Sequence, residues 1–429
     1  MESRRKFIQQ VSSLGIATAG LSIFNPLHAR SLDEKLRQVD GQDPRLVARD
    51  EDFWYHVQRA YVQSPHFINL ESGYFSPQPQ EVLEAQIRNI RMINEQPSYY
   101  MRERQLEEKL VVKKKLAQLA GVSHEEIVIT RNTTEALDTI ILGMDLQPGD
   151  EAIMTNQDYG SMLETFEQRA QRNGILTRVI DIPLWPKNKL EVVRAFEKAV
   201  TPRTKVILVT HLINLTGQIL PAREIADMAH ERGIDVIVDA AHSFAHLDYK
   251  IPELDCDYYG TSLHKWLCAP LGAGMLYMKK EKIAKTWPLF GDTGLPKDDI
   301  RKFEHIGTHP VSTHLTLASA IEFHNSIGAR RKEERLRYLK NYWVNQVRDI
   351  PGVTINTPLA DEQSCALANV SVKGMTPAEL AAFFMDKYKI FTVGIDTVAV
   401  KGVRVTPHLY TRLDQLDLLV TAIREAVGA

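Results

Sequence analysis

Short apolar runs alternate with helix-length segments over the middle of the chain, and this alternation constrains the fold more than any other feature. The runs have the length and the Val and Ile content of buried strands, and segments with helical spacing of apolar residues, such as 221–232, separate most of them. The predicted strands are residues 127–130, 151–155, 176–180, 206–210, 235–239, 258–261 and 274–278. Repeated strand–helix units predict an α/β fold with a mainly parallel sheet that helices cover on both faces.

The pattern changes after about residue 320, which predicts a second, smaller domain. A long charged helix over 330–347 precedes shorter strands at 367–372 and 402–406 and a last helix over 414–427. A chain of 429 residues can bury one large core and a smaller one. We predict four regions: a signal peptide at 1–29, a segment at 30–65 that packs on the small domain, a large domain at 66–320 and a small α+β domain at 321–429.

The first residues have the three parts of an export signal. Arg4 and Arg5 precede a mildly apolar stretch over 11–24, and Ala29 is a small residue at which a signal peptidase can cut. The arrangement resembles a bacterial twin-arginine signal, which predicts export to the periplasm by the twin-arginine machinery. The alternative is a chance arginine pair in an unstructured leader. Because the stretch is too short to span a hydrocarbon core of about 30 Å, we expect no stable membrane insertion.

Composition and charge favour small-molecule chemistry over binding to nucleic acid or anionic lipid. The chain has 52 basic and 54 acidic residues, a net charge of -2 and no long basic run. Its cysteines, Cys256, Cys268 and Cys365, have no CxxC spacing, so neither a disulfide framework nor a zinc site is indicated, although one disulfide stays open. His242 and His246 have i,i+4 spacing but lack a third ligand, so we expect no metal.

Polar residues follow five of the predicted strands at their carboxyl ends, which is where ligands bind in open parallel sheets. The clusters are Asn132-Thr133-Thr134, Gln157-Asp158-Tyr159-Gly160, the segment 211–217, Asp239-Ala240-Ala241-His242 and Ser262-Leu263-His264-Lys265. Taken singly, each has an ordinary structural interpretation, such as a solvated lysine or a helix cap. Their occurrence together along one sheet predicts a shared ligand site.

The order and spacing of these residues resemble the class V aminotransferase family from about Phe67 to the C-terminus. The matching positions are Thr133, Thr134, Tyr159, Asn214, Asp239, His242, Ser262, His264, Lys265 and a later Gly307-Thr308. The resemblance implies fold type I, with a mainly parallel seven-stranded sheet in the large domain, and an enzyme that uses pyridoxal 5'-phosphate (PLP). A Rossmann-type nucleotide binder is a rival interpretation, but no GxGxxG motif follows the first strand.

The resemblance also implies a role for each matching residue. Lys265 forms a Schiff base with PLP and then removes the α-proton, and Asp239 keeps the pyridine nitrogen protonated so that a quinonoid can form. Tyr159 and His242 can alternatively be ordinary core residues. The implied cofactor contacts are Thr133, Thr134, Ser262 and His264 at the phosphate, Tyr159 stacked on the ring, and His242 and Asn214 near the phenolic oxygen.

Two further positions bear on substrate and partner subunit. Arg404 resembles the arginine that pairs with the carboxylate of an amino-acid-type or peptide-like amine, although a surface arginine at a strand end is the alternative. Thr308 resembles the residue that reaches the phosphate bound to the partner subunit. This implies a homodimer with two shared active sites.

A missing cysteine separates this chain from the desulfurases of the family, which need a nucleophilic cysteine shortly before the carboxylate-binding arginine. Residues 391–403 contain none, and Cys365 lies upstream beside a predicted strand. The motifs are most similar to the isopenicillin N epimerase-like branch. Exported members of that branch imply a role in periplasmic siderophore maturation, such as modification of a pyoverdine glutamate. Transamination, epimerisation and oxidative modification stay open, as does a non-catalytic binding protein with this fold.

Overall fold

Thirteen strands in three sheets form the framework of the computed structural model, which describes residues 26–292 and 294–428. The strands are β1 Ile68–Asn69, β2 Ile127–Thr130, β3 Glu151–Thr155, β4 Leu176–Ile180, β5 Thr204–Thr210, β6 Asp235–Asp239, β7 Tyr258–Ser262, β8 Gly274–Met278, β9 Val353–Ile355, β10 Ala368–Val372, β11 Ile390–Phe391, β12 Val393–Asp396 and β13 Lys401–Val405. The central sheet has the order β2-β8-β7-β6-β5-β3-β4, a second sheet the order β12-β13-β10-β9, and β1 pairs with β11.

Helices cover these sheets. The α-helices of the described ranges are α1 Pro26–Gln38, α2 Pro44–Val47, α3 Glu51–Gln58, α4 Gln80–Glu95, α5 Pro97–Tyr99, α6 Gln105–Ala120, α7 Thr133–Gly143, α8 Gly160–Asn173, α9 Lys189–Ala199, α10 Ala222–His230, α11 Lys280–Ile283, α12 Val311–Ile327, α13 Ala329–Val347, α14 Pro377–Tyr388 and α15 Leu413–Gly428. Asn132, Asn188 and Thr376 cap α7, α9 and α14 with side-chain oxygens that accept backbone N–H groups. The helix starts therefore follow from local sequence.

The central sheet is parallel except at β8, which runs antiparallel to both of its neighbours, β2 and β7. Alternate residues of a strand face opposite sides of the sheet. In β5, Ile207 and Val209 belong to one buried apolar cluster, and Val206 and Leu208 belong to another. Both faces are buried, which explains the continuous apolar runs. The expected α/β fold with a mainly parallel seven-stranded sheet is confirmed.

The C-terminal part of the chain folds on an antiparallel sheet with its own core. Trp343 of α13, Phe384 of α14 and Leu419 of α15 are fully buried in one cluster with Val403 of β13. β13 pairs with β12 on one side and with β10 on the other. The backbone of Arg404 is therefore held on both sides.

Two stretches before the central sheet also contact the C-terminal part. In the first stretch, buried Trp54 donates to the Val47 carbonyl at 2.7 Å. The contact with the C-terminal part comes from Arg335 of α13, which donates to the Ala48 carbonyl at 2.9 Å. β1 pairs in parallel with β11. These contacts position the start of the folded chain beside α13 and β11, while the four domain ranges stay a prediction.

Most of the expected signal peptide, including Arg4 and Arg5, lies outside the described residues. In the ranges that are described, no helix combines the length and the apolar character needed to cross a membrane. Export of the chain stays a prediction.

Candidate active site

A cavity of about 280 Å³ lies at the carboxyl ends of the central strands. Apart from Thr308 and Arg404, all the predicted site residues line it: Thr133, Thr134, Tyr159, Asn214, Asp239, His242, Ser262, His264 and Lys265. Two more lining residues, Asn132 and Ala241, belong to the predicted polar clusters, whereas other residues of the cavity wall were not predicted: Tyr74, Phe75, Arg131, Met162, Thr210, Leu271 and Gly272. The polar clusters that follow separate strands thus meet at one edge of the sheet.

Lys265 lies beside a neutral histidine in this cavity. Its Nζ is 3.2 Å from Nε2 of His242. Burial lowers the pKa of Lys265 to about 8, and burial together with the nearby lysine charge lowers the pKa of His242 well below its usual range. An amine with a pKa near 8 loses its proton close to neutral pH. The unprotonated amine is the nucleophile that reacts with a carbonyl.

Asp239, the last residue of β6, contributes a buried carboxylate to the same cavity. Its Oδ1 accepts from the Ala241 N–H at 2.9 Å, which fixes the orientation of the carboxylate. Burial raises the pKa of Asp239, while the Ala241 hydrogen bond and the charge of Lys265 oppose that rise. A buried carboxylate without a positively charged partner destabilises the folded state. A protonated pyridine nitrogen can be that partner.

The N-terminus of α7 forms a candidate anion site at the cavity. Asn132 caps the helix by accepting from the Glu135 N–H at 2.8 Å. The Thr133 N–H donates to Ser262 Oγ at 3.0 Å, and the two hydroxyl oxygens are 2.7 Å apart. A side chain on Gly274 of β8 would approach the Asn132 backbone to 2.7 Å, so only glycine lets this helix end lie against the sheet. Backbone amides, hydroxyls and the helix dipole together suit a phosphate.

His264 reaches the cavity as a neutral ring. The ring stacks on Phe75 with centroids 5.8 Å apart, and Nδ1 donates to the Ala273 carbonyl at 3.2 Å. Burial lowers the pKa of His264 to about 4, so Nε2 carries a lone pair. Donation from Nε2 to a phosphate requires that the ring first take up a proton, which a nearby phosphate charge favours.

Two tyrosines share a hydrogen bond in the cavity wall. The hydroxyls of Tyr74 and Tyr159 are 2.9 Å apart, and Lys265 Nζ is 5.5 Å from the centroid of the Tyr74 ring. Burial and the bond to Tyr159 raise the pKa of Tyr74 to about 12, so its hydroxyl stays protonated. Tyr74 was not predicted, because it lies in the loop after β1, far from the central strands in sequence.

Arg404 is buried behind the cavity wall and is already paired. Its Nε donates to Oε2 of Glu71 at 3.2 Å, and its Nη2 donates to Oε1 of the same residue. Its Nη1 donates to the Asn214 carbonyl at 3.0 Å. The side chains of Arg404 and Glu71 are only 1% and 4% exposed, so both charges are removed from water. Glu71 was not predicted, because its local sequence resembles that of any solvated glutamate.

Thr308 lies away from this cavity. It is exposed in the loop before α12 and is absent from the cavity wall. An exposed position is compatible with contact to a second subunit, and the homodimer with shared sites stays a prediction.

The residues of the cavity fit PLP. Lys265 offers an amine to the aldehyde, and Asp239 offers a carboxylate to the pyridine nitrogen. Nδ1 of His242 is buried and has no hydrogen-bond partner among the described residues. A buried polar atom without a hydrogen bond destabilises the folded state, and a hydrogen bond from a bound ligand removes that penalty. With the anion site at α7, the chain has a complementary group for each polar part of the cofactor.

Comparison with known protein families identifies the class to which this fold and this site belong. The family model for class V aminotransferases matches residues 69–418, and the chain belongs to that family. Members of the family are PLP-dependent enzymes. The family, the cofactor and the enzymatic nature expected from the sequence are thereby confirmed.

Individual relatives include both epimerases and desulfurases. The chain is 25% identical over 396 residues to the isopenicillin N epimerase of Streptomyces clavuligerus, with 87% of this chain and 98% of the relative covered. It is 27% identical over 395 residues to a probable cysteine desulfurase of Halobacterium salinarum, with 86% and 94% covered. The crystal structure of an Escherichia coli cysteine desulfurase matches with a TM-score of 0.76 at 22% identity, over 87% of this chain and 98% of that one. The expected similarity to isopenicillin N epimerases is confirmed.

Proposed function

We propose that this enzyme removes a proton from the carbon beside the amine of its substrate, with PLP bound at Lys265. The observation that carries the proposal is the presence of buried Lys265 and buried Asp239 in one cavity with an anion site. When bound, PLP supplies an electron-accepting ring next to the substrate carbon. The chain itself supplies proton transfer, charge and orientation.

Lys265 is the residue that moves the proton. With a pKa of about 8, its amine can take up a proton and return it near neutral pH. His242 lies 3.2 Å from Nζ and is neutral, so it can accept from the amine without adding a second positive charge. Asp239, oriented by the Ala241 N–H, is the group that would hold a proton on the pyridine nitrogen.

The cysteines favour proton-transfer chemistry over sulfur transfer. Cys256, Cys268 and Cys365 are all buried and free, and burial raises the pKa of the Cys365 thiol to about 12. Sulfur transfer needs an accessible thiolate. Return of the proton to the opposite face of the same carbon gives epimerisation, and its return to another atom gives transamination.

Solvent deuterium exchange tests this function. The PLP-loaded enzyme is incubated in D2O with free amino acids, their α-amides and short peptides, and deuterium at the α-carbon is measured by mass spectrometry. We expect exchange that falls by at least about 10³-fold in Lys265→Ala. It should be unchanged in Lys280→Ala, whose side chain is 71% exposed. Exchange that persists in Lys265→Ala would overturn the proposal.

The finer proposal is that the enzyme acts in the periplasm after twin-arginine export, on a peptide-like amine such as a siderophore glutamyl residue. Arg4 and Arg5 before an apolar stretch support the compartment, and the resemblance of the motifs to exported members of the isopenicillin N epimerase-like branch is the basis for the substrate type. Cell fractionation should place the full-length chain in the periplasm, and changing both arginines to lysine should retain it in the cytoplasm. If strains with and without the gene for this chain secreted identical siderophores, a siderophore would be excluded as the substrate.

A further inference from the structure

We propose that Glu71 makes this active site select amines whose adjacent carboxyl group is blocked as an amide, and reject free α-amino acids. The inference rests on the proposed function, because it concerns the substrate of the same cavity. Its starting point is that Arg404, which the family resemblance assigns to a substrate carboxylate, is bound by a carboxylate of the chain itself.

The edge of the guanidinium that a substrate carboxylate needs is occupied. A bidentate pair uses two parallel N–H donors, and the Nε and Nη2 donors of Arg404 both bond to Glu71. Nη1 donates to the Asn214 carbonyl at 3.0 Å. A guanidinium has five N–H groups, so Arg404 retains donors for single hydrogen bonds to neutral acceptors. The other paired edge of the guanidinium, formed by Nη1 and Nη2, shares its Nη1 group with the Asn214 carbonyl and its Nη2 group with Glu71.

The backbone that carries Glu71 is fixed against the strand that carries Arg404. The residues on either side of Glu71 form backbone hydrogen bonds of 2.7 Å and 3.2 Å to Thr406, two positions beyond Arg404. The N–H of Gly73 donates to Thr406 Oγ1 at 2.9 Å, and a side chain at Gly73 would approach Thr406 to 2.9 Å. These contacts therefore fix the backbone at Glu71 relative to the strand that carries Arg404.

A free substrate carboxylate would find no unpaired cation here. Displacing Glu71 from Arg404 would leave a buried, unpaired carboxylate beside the incoming one, which is a strongly unfavourable state. Among the described residues that line the cavity, the lysines and arginines are Lys265, which the chemistry uses, and Arg131, which is paired with Glu135 at 2.9 Å. An amide is neutral and needs no counter-ion.

The wall in front of the ion pair offers neutral hydrogen-bonding groups. Tyr74 and Asn214 line the cavity, and the guanidinium carbon of Arg404 lies 5.3 Å from the Tyr74 ring centroid. Oδ1 of Asn214 is buried without a hydrogen-bond partner among the described residues. An amide N–H can donate to this oxygen, and an amide carbonyl can accept from the Tyr74 hydroxyl. These partners match a blocked carboxyl group better than a charged one.

Matched ligand pairs test the inference. The PLP-loaded enzyme is titrated by calorimetry with alanine, glutamate and phenylalanine and with their α-amides, and the cofactor absorbance is followed in parallel. Glu71→Gln keeps the shape of the side chain and removes its charge. Glu51→Gln is the matched control, because its carboxylate also pairs with a buried arginine, Arg335, away from the cavity.

We expect wild-type enzyme to bind each amide at least about tenfold more tightly than the free acid. In Glu71→Gln this preference should shrink by about tenfold or more, because Arg404 is released for the free carboxylate. In Glu51→Gln it should stay as in the wild type.

Equal or tighter binding of the free acids by wild-type enzyme would overturn the inference, as would an unchanged preference in Glu71→Gln. Absence of binding by every ligand also counts against it. If Glu71→Gln does not fold, the preference of the wild-type enzyme for amides over free acids still tests the inference, because that measurement needs no variant. Free acids that exchange their α-proton as readily as amides refute only the selectivity, whereas exchange that survives Lys265→Ala refutes the proposed function.

Discussion

The two ends of the cavity are built in different ways. The cofactor end takes its residues from positions directly after strands of one sheet: Thr133 after β2, Asp239 at the end of β6 and Lys265 after β7. The proposed substrate end depends on Glu71 and Arg404, which are 333 positions apart in sequence. Topology therefore sets the cofactor end, whereas the packing of two distant segments sets the substrate end. Changes at the first should affect the cofactor and its chemistry, and changes at the second should affect the choice of substrate.

Asp239→Asn should have the largest effect among the changes at the cofactor end. We expect the α-proton exchange rate to fall by about 10²- to 10³-fold, which is typical for the loss of one preorganised group. PLP should stay bound, because Lys265 and the anion site are intact. Exchange at saturating PLP measures the rate, and cofactor absorbance measures occupancy.

Asp235→Asn is the matched control, because Asp235 begins β6 and pairs with Lys282 outside the cavity. It should keep the wild-type exchange rate. An unchanged rate in Asp239→Asn would remove that carboxylate from its role.

Gly274→Ala should disturb the cofactor end through its backbone. The new side chain would meet the Asn132 backbone at 2.7 Å, so the N-terminus of α7 must shift. We expect the free energy of unfolding to fall by about 1–3 kcal/mol, the usual cost of overpacking, and the PLP dissociation constant to rise. Denaturant unfolding and cofactor titration measure the two effects. Gly160→Ala is the control, since a side chain there meets nothing within 4 Å; equal stability of the two variants would contradict the argument.

The sequence predicted the cofactor end because each of its residues follows a buried strand with a strong apolar pattern. Lys265 and Asp239 both line the cavity, and their roles there stay a prediction. The contact between Glu71 and Arg404 has no local pattern, since it arises only when β13 packs beside the chain that follows β1. β9 and β12 were also missed, because they are short and partly exposed and so lack a clear alternation.

The pH dependence of cofactor capture should report the buried state of Lys265. Burial lowers its pKa to about 8, so the reactive unprotonated amine increases with pH up to that value. We expect the rate at which apoenzyme takes up PLP to rise about tenfold per pH unit well below the pKa and to level off above about pH 8. Stopped-flow absorbance measures the rate. A rise that continues towards pH 10.5, the ordinary pKa of lysine, would show that the amine is solvated.

Tyr74→Phe should have the smallest effect and should separate the two ends. It removes the hydroxyl that bonds to Tyr159 at 2.9 Å and leaves the cofactor contacts in place. We expect kcat/KM for an amide substrate to fall by about 3- to 10-fold, the value of one hydrogen bond, with an unchanged PLP dissociation constant. Tyr342→Phe is the control, because its hydroxyl bonds to Asp417 at the surface. If Tyr74→Phe weakened PLP binding by the same factor as it lowered kcat/KM, the two ends of the cavity would not be functionally distinct.

Lys265 is the lysine that we expect to carry the cofactor, and covalent trapping can identify the residue that does. Borohydride reduces the carbon–nitrogen double bond between a lysine and PLP, and peptide mass spectrometry then locates the modified residue. Lys332 and Lys340 are also buried, and burial lowers the pKa of each to about 8, so they are realistic competitors. We expect the pyridoxyl group on Lys265 alone. A modification on Lys332 or Lys340, or none on Lys265, would contradict it.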